Sequence, residues 1–330
     1  MGMLVEGKWT TKWYEPDEKG RFVRGKTAFR DAVTADGSSG HPAEAGRYHL
    51  YVAWACPWAH RALLGRTLKG LEKAIDVSIV DAFMGDDGWT FGQDEDGIQD
   101  PIHGARFLRD VYLAAQPDFT GRVTVPVLWD KTAGTIVNNE SREILRMFDT
   151  AFDGVGDAGV NLLPAGKEAE VDRTIDEIYE PVNNGVYRSG FARSQEAYEE
   201  AVTELFGKLD ELDARLGERR YLCGEVVTEA DICLFTTLIR FDLVYHGHFK
   251  CNLRRISDYP NLSGYVRELW QVPAIQATCN LPSTKRHYYA SHESVNPTRI
   301  VPVGPDLSYL DAPHGRERVG GDRETAFDRG

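Results

Sequence analysis

The sequence contains no long apolar run. No segment of its 330 residues approaches the roughly 20 apolar residues of a membrane-spanning helix. The opening stretch MGMLVEGKWTTKWYEP lacks the apolar core of a secretory signal. Cysteine is also scarce, and the five cysteines are widely spaced. This usage is typical of proteins in a reducing compartment and unlike that of a disulfide framework. We therefore expect a cytoplasmic protein with free thiols and no membrane partner.

Basic residues are fewer than acidic ones. The chain has 38 Lys and Arg against 51 Asp and Glu, a formal net charge of -13. Nucleic acids and anionic membranes bind clustered positive charge, so neither is expected as a main partner. Hydrophobic residues make up 42% and aromatic residues 11% of the chain, which predicts a globular protein rather than a disordered one.

The residue patterns divide the chain into four regions. Residues 1–46 are polar with scattered aromatics, and we expect an N-terminal extension that covers a surface. Residues 47–152 run strand, helix, strand, insertion, helix, two strands and helix, which predicts a small mixed sheet with helices on its faces. Residues 165–285 show only helical patterns, and residues 286–330 form a C-terminal extension and tail. The expected fold class is an α/β domain followed by an all-α domain.

Two patterns mark the helical region. Apolar residues recur at alternating spacings of four and three from Tyr198 to Leu216, which predicts one buried stripe of a long helix. Thr228 is followed three residues later by Asp231, a variant of the capping box, before a nearly all-apolar run that predicts a central helix. The segment YPNLSGYVRELWQVPAI predicts a further helix.

Cys56 stands at the junction of a predicted strand and a predicted helix. The apolar run YVAWA ends just before it, and Pro57 follows where a helix tolerates the missing N–H. The helix dipole and unsatisfied N–H groups favour a thiolate there, so we expect its pKa to fall below the ordinary value of about 8.5. His60 and Arg61 add proton-donating or positive groups nearby. The pattern predicts a nucleophile, against the alternative of a small buried apolar residue.

A second cysteine is missing beside Cys56. Dithiol oxidoreductases carry Cys-x-x-Cys, and the second cysteine resolves a mixed disulfide. Here Ala59 occupies that position, so an external thiol must resolve the disulfide, and glutathione is the abundant candidate. The other cysteines stand in apolar, helix-like contexts without a partner motif, and we interpret them as structural: Cys223, Cys233, Cys251 and Cys279.

Pro126 interrupts a run of strand-forming residues. Residues 122–130, RVTVPVLWD, predict a short strand, but a proline there argues against a central position with both edges paired. A cis peptide bond at a strand start would free the Val125 backbone for an extended peptide ligand. The alternative is a simple turn or edge proline.

Glu140 and Ser141 stand at a predicted helix start, where N–H groups can bind a carboxylate. Ser141 can donate to that carboxylate, and Glu140 can accept from an α-ammonium group. A γ-glutamyl group carries both charges. The alternative is ordinary helix capping, with Asn139 as the N-cap residue.

Taken together, these residues resemble those of the glutathione transferase superfamily, and more narrowly its Xi class, the glutathionyl-hydroquinone reductases. The similarity covers about residues 20 to 305. The matching strings are FVRGKTAFR, YVAWACPWAHR, DDGWTF, GRVTVPVLWD, IVNNESREI, NNGVYRSGFA and HYYASH with the following NPTRIVPVGP. The resemblance implies a thioredoxin-like N-terminal domain, an all-helical C-terminal domain and a homodimer.

The resemblance also implies a reaction and a site. A glutathionyl-hydroquinone, an aromatic glutathione conjugate, loses its glutathionyl group to Cys56, and a second glutathione leaves as the disulfide. Tyr187 and Tyr288 are the implied catalytic tyrosines of the quinol site, with His287 and Tyr289 as neighbours. The implied glutathione contacts are Trp89, Arg122, the Val125 backbone, Glu140 and Ser141.

Two other functions are compatible with the same sequence. An omega-like monothiol reductase of glutathione mixed disulfides or dehydroascorbate would share Cys56 and the glutathione site without needing the tyrosine pair. A non-enzymatic glutathione-transferase-like module would need no activated thiolate. A metal site is not expected, because the spacing of His287 and His292 matches no standard zinc motif.

Overall fold

The computed structural model describes residues 2–320. The first residue of the predicted N-terminal extension and residues 321–330 of the predicted tail lie outside the described residues. The described chain forms two compact units, neither of which is one continuous stretch. The first unit contains the residues up to Tyr14, Arg24–Ala158 and Thr278–Ser291, and the second contains Glu15–Val23, Gly159–Ala277 and the residues from His292 onward.

The strands belong to the first unit. In chain order they are β1 Met3–Val5, β2 Lys8–Thr10, β3 Tyr48–Val52, β4 Ile75–Ile79, β5 Gly121–Arg122, β6 Val127–Asp130 and β7 Thr135–Asn138. The larger sheet has the order β4-β3-β6-β7, in which only the β3–β4 pair is parallel. The predicted mixed sheet is therefore confirmed, and β3 is buried along its whole length.

A smaller antiparallel sheet was not predicted. Its order is β2-β1-β5, so the beginning of the N-terminal extension pairs with the strand that contains Arg122. Strands of two or three residues are too short for an alternating apolar pattern to be detected in the sequence.

Residues 122–130 do not form the single strand that the sequence predicted. β5 ends at Arg122, and β6 begins at Val127 in the other sheet. Pro126 lies just before β6 and lacks the N–H that a ladder needs, which explains why pairing begins only after it.

The helices flank the sheet of the first unit and build the second unit. In chain order they are α1 Pro57–Leu68, α2 Leu108–Ala115, α3 Ser141–Thr150, α4 Glu168–Ile178, α5 Gly185–Gly190, α6 Gln195–Glu218, α7 Glu229–Leu238, α8 His246–His248, α9 Leu262–Trp270, α10 Pro273–Gln276 and α11 Leu281–Ser291. In the first unit α1 and α3 pack closely. A Cβ added to Gly65 of α1 would lie only 2.7 Å from the Leu145 Cδ1 atom of α3.

The second unit is organised around α6 and α7. The predicted apolar stripe of α6 is buried from Val202 to Leu216, whereas Tyr198 is only half-buried. Every residue of α7 is buried, and Thr228 forms the predicted capping box with Asp231. The predicted single helix after Tyr259 is two helices, α9 and α10, because Pro273 begins a new one.

The C-terminal extension contributes a buried arginine to the second unit. Arg316 has no exposed surface, and its guanidinium donates to the carbonyl oxygens of Leu216 (2.7 Å) and Arg219 (2.8 Å). These contacts satisfy carbonyl groups at the end of α6. Across residues 2–320, no helix combines the length and apolarity that crossing a membrane requires.

Candidate active site

Cys56 is the N-cap residue of α1. Its backbone is extended, its sulfur accepts a hydrogen bond from the Ala59 N–H (3.5 Å), and its side chain is partly exposed. Pro57 occupies the first helical position, as the sequence predicted. The sulfur therefore lies at the positive end of a helix of 12 residues, an arrangement that favours negative charge on a thiol.

Val125 lies beside this sulfur. The Cys56 thiol donates to the Val125 carbonyl oxygen at 3.7 Å, and the Val125–Pro126 peptide bond is cis. The cis bond agrees with the sequence hypothesis rather than with a simple turn. The structure therefore brings the loop before β6 to the start of α1.

Glu140 and Ser141 begin α3. Glu140 is the N-cap residue, and its carboxylate accepts from the Arg142 N–H and the Ser141 hydroxyl, both at 3.4 Å. The Thr27 hydroxyl donates to the other carboxylate oxygen at 3.3 Å. The predicted pair therefore stands at a helix N-terminus, with a carboxylate and a hydroxyl side by side.

Asn139 is not the N-cap residue, so the sequence alternative is wrong in that detail. Its side-chain oxygen accepts from the Phe29 N–H (3.1 Å), and its side-chain nitrogen donates to the Tyr112 hydroxyl (3.1 Å). Asn139 thus ties the N-terminal extension to α2 while Glu140 caps α3.

Arg61 joins the starts of α1 and α3. Arg61 is only 2% exposed, and its guanidinium lies 4.5 Å from the centre of the Trp58 ring and approaches the Ser141 hydroxyl at 3.5 Å. The sequence placed Arg61 near Cys56 but did not foresee these partners. His60 hydrogen-bonds the Thr278 hydroxyl at 2.7 Å, from a segment 218 positions further along the chain.

Arg122 ends β5 and is half-buried. Its guanidinium lies 4.3 Å from the centre of the Tyr14 ring and donates to the Lys12 carbonyl oxygen. Neither partner was identified from the sequence, although the aromatic residues of the N-terminal extension were the available signal.

Trp89, His287 and Tyr288 form a line of rings. Trp89 is buried and stacks on His287 with ring centres 4.9 Å apart and planes 18° apart. His287 Nδ1 hydrogen-bonds the Ala82 carbonyl oxygen at 2.8 Å, and its ring meets Tyr288 edge-on at 5.4 Å. Tyr288 is almost fully buried. The resemblance implied only that His287 is a neighbour of the quinol site. In the structure His287 contacts both Trp89 and Tyr288.

Tyr187 belongs to the second unit. It lies in α5, and its ring packs near Phe191, Tyr245 and Phe249 at centre distances of 6.2, 6.1 and 5.5 Å. Its assignment to the quinol site stays a prediction.

The remaining cysteines correct one sequence interpretation. Only Cys233 lies in a helix, whereas Cys223, Cys251 and Cys279 lie in turns or irregular segments. Burial raises the pKa of Cys251 to about 12 and also raises that of Cys223. Cys279 is partly exposed, and its sulfur lies 3.8 Å from His60 Nε2.

A metal site needs several His, Cys, Asp or Glu side chains close together. Within residues 2–320, no group of three or more His, Cys, Asp or Glu side chains is arranged to hold a metal ion. His292 pairs with His248 at 3.1 Å in the second unit, and His287 lies in the first unit against Trp89.

Two protein-family models match this chain. The model described as "Glutathione S-transferase, N-terminal domain" matches residues 55–151, and "Glutathione S-transferase, C-terminal domain" matches residues 195–268. The first match contains Cys56 and the start of α3, and the second contains α6 and α7.

Curated relatives and solved structures match nearly the whole length. The glutathionyl-hydroquinone reductase PcpF of Sphingobium chlorophenolicum is 54% identical over 306 residues, covering 92% of this chain and 96% of its own length. The glutathionyl-hydroquinone reductase YqjG of Escherichia coli K12 is 50% identical over 325 residues, covering 96% and 99%. Its glutathione-bound structure has a TM-score of 0.87 and 48% identity, covering 96% of this chain and 99% of that one. A Xi class transferase structure from Natrialba magadii has a TM-score of 0.91 and 52% identity, covering 98% of both chains.

Proposed function

The chain belongs to the glutathione S-transferase family, in its Xi class, and from that membership we propose that it reduces glutathionyl-hydroquinones to hydroquinones with glutathione. The observation that carries the proposal is Cys56 at the start of α1 with Ala59 in the place of a resolving cysteine. The names of two relatives at 54% and 50% identity support the same activity.

The proposed reaction has two thiol steps. The Cys56 thiolate attacks the sulfur of the conjugate, so that a sulfur–sulfur bond forms and the carbon–sulfur bond breaks. The electron pair of the broken bond passes into the ring, which takes up a proton, and the hydroquinone leaves. A second glutathione thiolate then attacks the Cys56–glutathione disulfide and restores Cys56. In sum, two glutathione sulfurs are oxidised to the disulfide and one aryl carbon is reduced.

Five residues are proposed to hold glutathione. The Glu140 carboxylate accepts from the α-ammonium group, while Ser141 and the N–H groups at the start of α3 bind the α-carboxylate. The Val125 backbone binds the cysteinyl residue, beside the Cys56 sulfur. Arg122 binds the glycine carboxylate, and Trp89 contacts the tripeptide.

Expelling an aryl carbon requires a proton donor. The carbon leaves readily when the ring is in its keto tautomer, because the electron pair then moves onto a ring oxygen. Tyr187 and Tyr288 are proposed to donate hydrogen bonds or a proton to the ring oxygens. A phenol with an ordinary pKa of about 10 stays protonated near neutral pH and can do so.

The remaining parts of the proposal follow class resemblance and composition. We propose a homodimer in the cytoplasm that uses no metal, with the domain boundaries given by the sequence. All five cysteines are free, as a reducing compartment requires.

To test the proposal, purified protein is incubated with a glutathionyl-hydroquinone and glutathione, and the products are measured. Wild type should release hydroquinone and glutathione disulfide, and Cys56→Ser should reduce turnover by on the order of 1000-fold, because a hydroxyl is a far weaker nucleophile than a thiolate. Cys279→Ser is the matched control, since Cys279 is also partly exposed, and it should keep wild-type turnover. A wild type without turnover would contradict the proposal.

Tyrosine variants distinguish this function from an omega-like reductase. Tyr187→Phe and Tyr288→Phe should slow hydroquinone release by roughly 10- to 1000-fold and leave reduction of a simple glutathione mixed disulfide unchanged. Full hydroquinone turnover in both variants would remove the two tyrosines from the proposed mechanism, whereas a wild type that reduces the mixed disulfide but not the conjugate would favour the omega-like alternative.

A further inference from the structure

The N-terminal arm, residues Met3–Tyr14, makes two kinds of contact with the strand that carries Arg122. In the smaller sheet, β1 pairs with β5 so that Met3 lies opposite Arg122 and Leu4 opposite Gly121. Leu4 is fully buried. The arm therefore fixes the Arg122 backbone before any side-chain contact is considered.

The same arm also contacts the Arg122 guanidinium. The Lys12 carbonyl oxygen accepts from one of its nitrogens, and the Tyr14 ring centre lies 4.3 Å from Cζ. Trp9 anchors the arm further, because its indole N–H donates to the Asp86 carbonyl oxygen (2.9 Å) and its ring lies 5.0 Å from the Arg109 guanidinium. Arg122 is thus held at its backbone and at the end of its side chain.

Stacking and carboxylate binding use different parts of a guanidinium. An aromatic ring covers the planar face, whereas a carboxylate accepts hydrogen bonds from the N–H groups in the plane. The Tyr14 ring can therefore restrict the rotamers of Arg122 without itself occupying the in-plane N–H groups. A side chain that is already ordered loses less conformational entropy when it binds.

The segment after the arm reaches the other proposed binding group. The Thr27 hydroxyl donates to Glu140, and the Phe29 carbonyl oxygen accepts from the Asn139 N–H at 3.1 Å. The extension thus contacts the residues proposed for both charged ends of glutathione, Arg122 and Glu140.

We propose that the N-terminal arm is part of the glutathione site, and that Tyr14 is a positioning residue that orients Arg122 toward the glycine carboxylate. The inference rests on the proposed function, because it takes the Arg122 role from there. It gives the extension a purpose in ligand binding beyond covering a surface.

The experiment measures binding by calorimetry, so it does not depend on hydroquinone turnover. Full-length wild type, Tyr14→Leu and Tyr14→Phe are each titrated with glutathione and with glutathione amidated at its glycine carboxylate. Tyr14→Leu should weaken glutathione binding about three- to tenfold, whereas Tyr14→Phe, which keeps the ring, should stay within about twofold of wild type. Tyr198→Leu, on the second unit, is the matched control and should bind as wild type does.

Binding of the amidated ligand shows whether Tyr14→Leu loses only the positioning of Arg122 or damages the whole glutathione site. Wild type should bind it more weakly than glutathione, and Tyr14→Leu should bind it as well as wild type does, because Arg122 then has no carboxylate to hold. Equal weakening for both ligands in Tyr14→Leu, or unchanged glutathione binding, would overturn the inference alone. A wild type that binds both ligands equally, or binds neither, would overturn it together with the proposed glutathione site.

Discussion

Two helices of this chain begin in opposite ways. α1 begins after Cys56, whose partly exposed sulfur accepts from the Ala59 N–H. α7 begins after Thr228, which forms a capping box with Asp231, and neither of these residues has any exposed surface. Both helix starts carry unsatisfied N–H groups and the positive end of a dipole.

The two helices differ in the side chain that lies at the start and in the hydrogen bonds that this side chain makes. The Asp231 carboxylate accepts from the Thr228 N–H and the Leu222 N–H, both at 2.9 Å, and from the Tyr265 hydroxyl at 3.0 Å. A buried carboxylate with this many donors stabilises the fold and leaves nothing for a ligand. At α1 a reactive thiol takes the same place at a partly open position. The same local electrostatics therefore stabilises the fold in one unit and is proposed to activate a nucleophile in the other.

The largest effect should come from removing Asp231, the buried carboxylate at the start of α7. Asp231→Ala should lower the free energy of unfolding by about 3–5 kcal/mol, because four buried donors on Leu222, Thr228 and Tyr265 lose their acceptor. Urea unfolding measures the loss. Cys56→Ala should change stability by only about 1 kcal/mol, although it removes the proposed chemistry.

The matched control for this loss is Asp210→Ala. The Asp210 side chain is 56% exposed and pairs with Arg254, and such surface pairs contribute about 1 kcal/mol or less. Equal losses in Asp231→Ala and Cys56→Ala would mean that both helix starts serve the fold alone.

Alkylation should sharpen the contrast between thiols. Cys56 should react with iodoacetamide at neutral pH about 100-fold faster than Cys251, because burial raises the pKa of Cys251 to about 12. Mass spectrometry of peptides gives the rate at each cysteine. In urea the two should react alike, and similar rates in the folded protein would remove the distinction.

The smallest effect concerns a second buried polar side chain, His49 of the first unit. His49 is fully buried in β3, its Nε2 hydrogen-bonds Ser78, and burial lowers its pKa from 6.5 to about 4. The folded state therefore favours neutral His49, so its contribution to stability is complete above pH 6.5 and is lost as the pH falls toward 4. The loss should reach about 2–3 kcal/mol.

Urea unfolding across this pH range tests the expectation. His49→Gln, which keeps a donor for Ser78 and does not titrate, is the control whose pH dependence should be flatter. Parallel pH curves for wild type and His49→Gln would show that this imidazole does not contribute to acid sensitivity.

The features that the sequence predicted correctly have local signals. Cys56 and Pro57 follow β3 after three residues and lie directly at the start of α1. The Thr228–Asp231 box spans four residues, so in both places neighbouring residue types suffice for the prediction. The split of residues 122–130 into β5 and β6 was not predicted, because pairing partners decide which residues form a ladder. Neither the non-helical position of Cys279 nor its contact with His60, 219 positions away, was predicted.

Four features followed from the sequence alone: the order of the larger sheet's strands and their helices, the two helix starts, the missing resolving cysteine and the family resemblance. These depend on dihedral preferences, capping chemistry and periodic burial, which act over a few residues. The contacts of Tyr14 with Arg122, of Arg61 with Ser141 and of His287 with Trp89 could be seen only in the folded chain. Such contacts join segments far apart in the chain, and they form because burial and hydrogen bonding are satisfied across the whole unit at once.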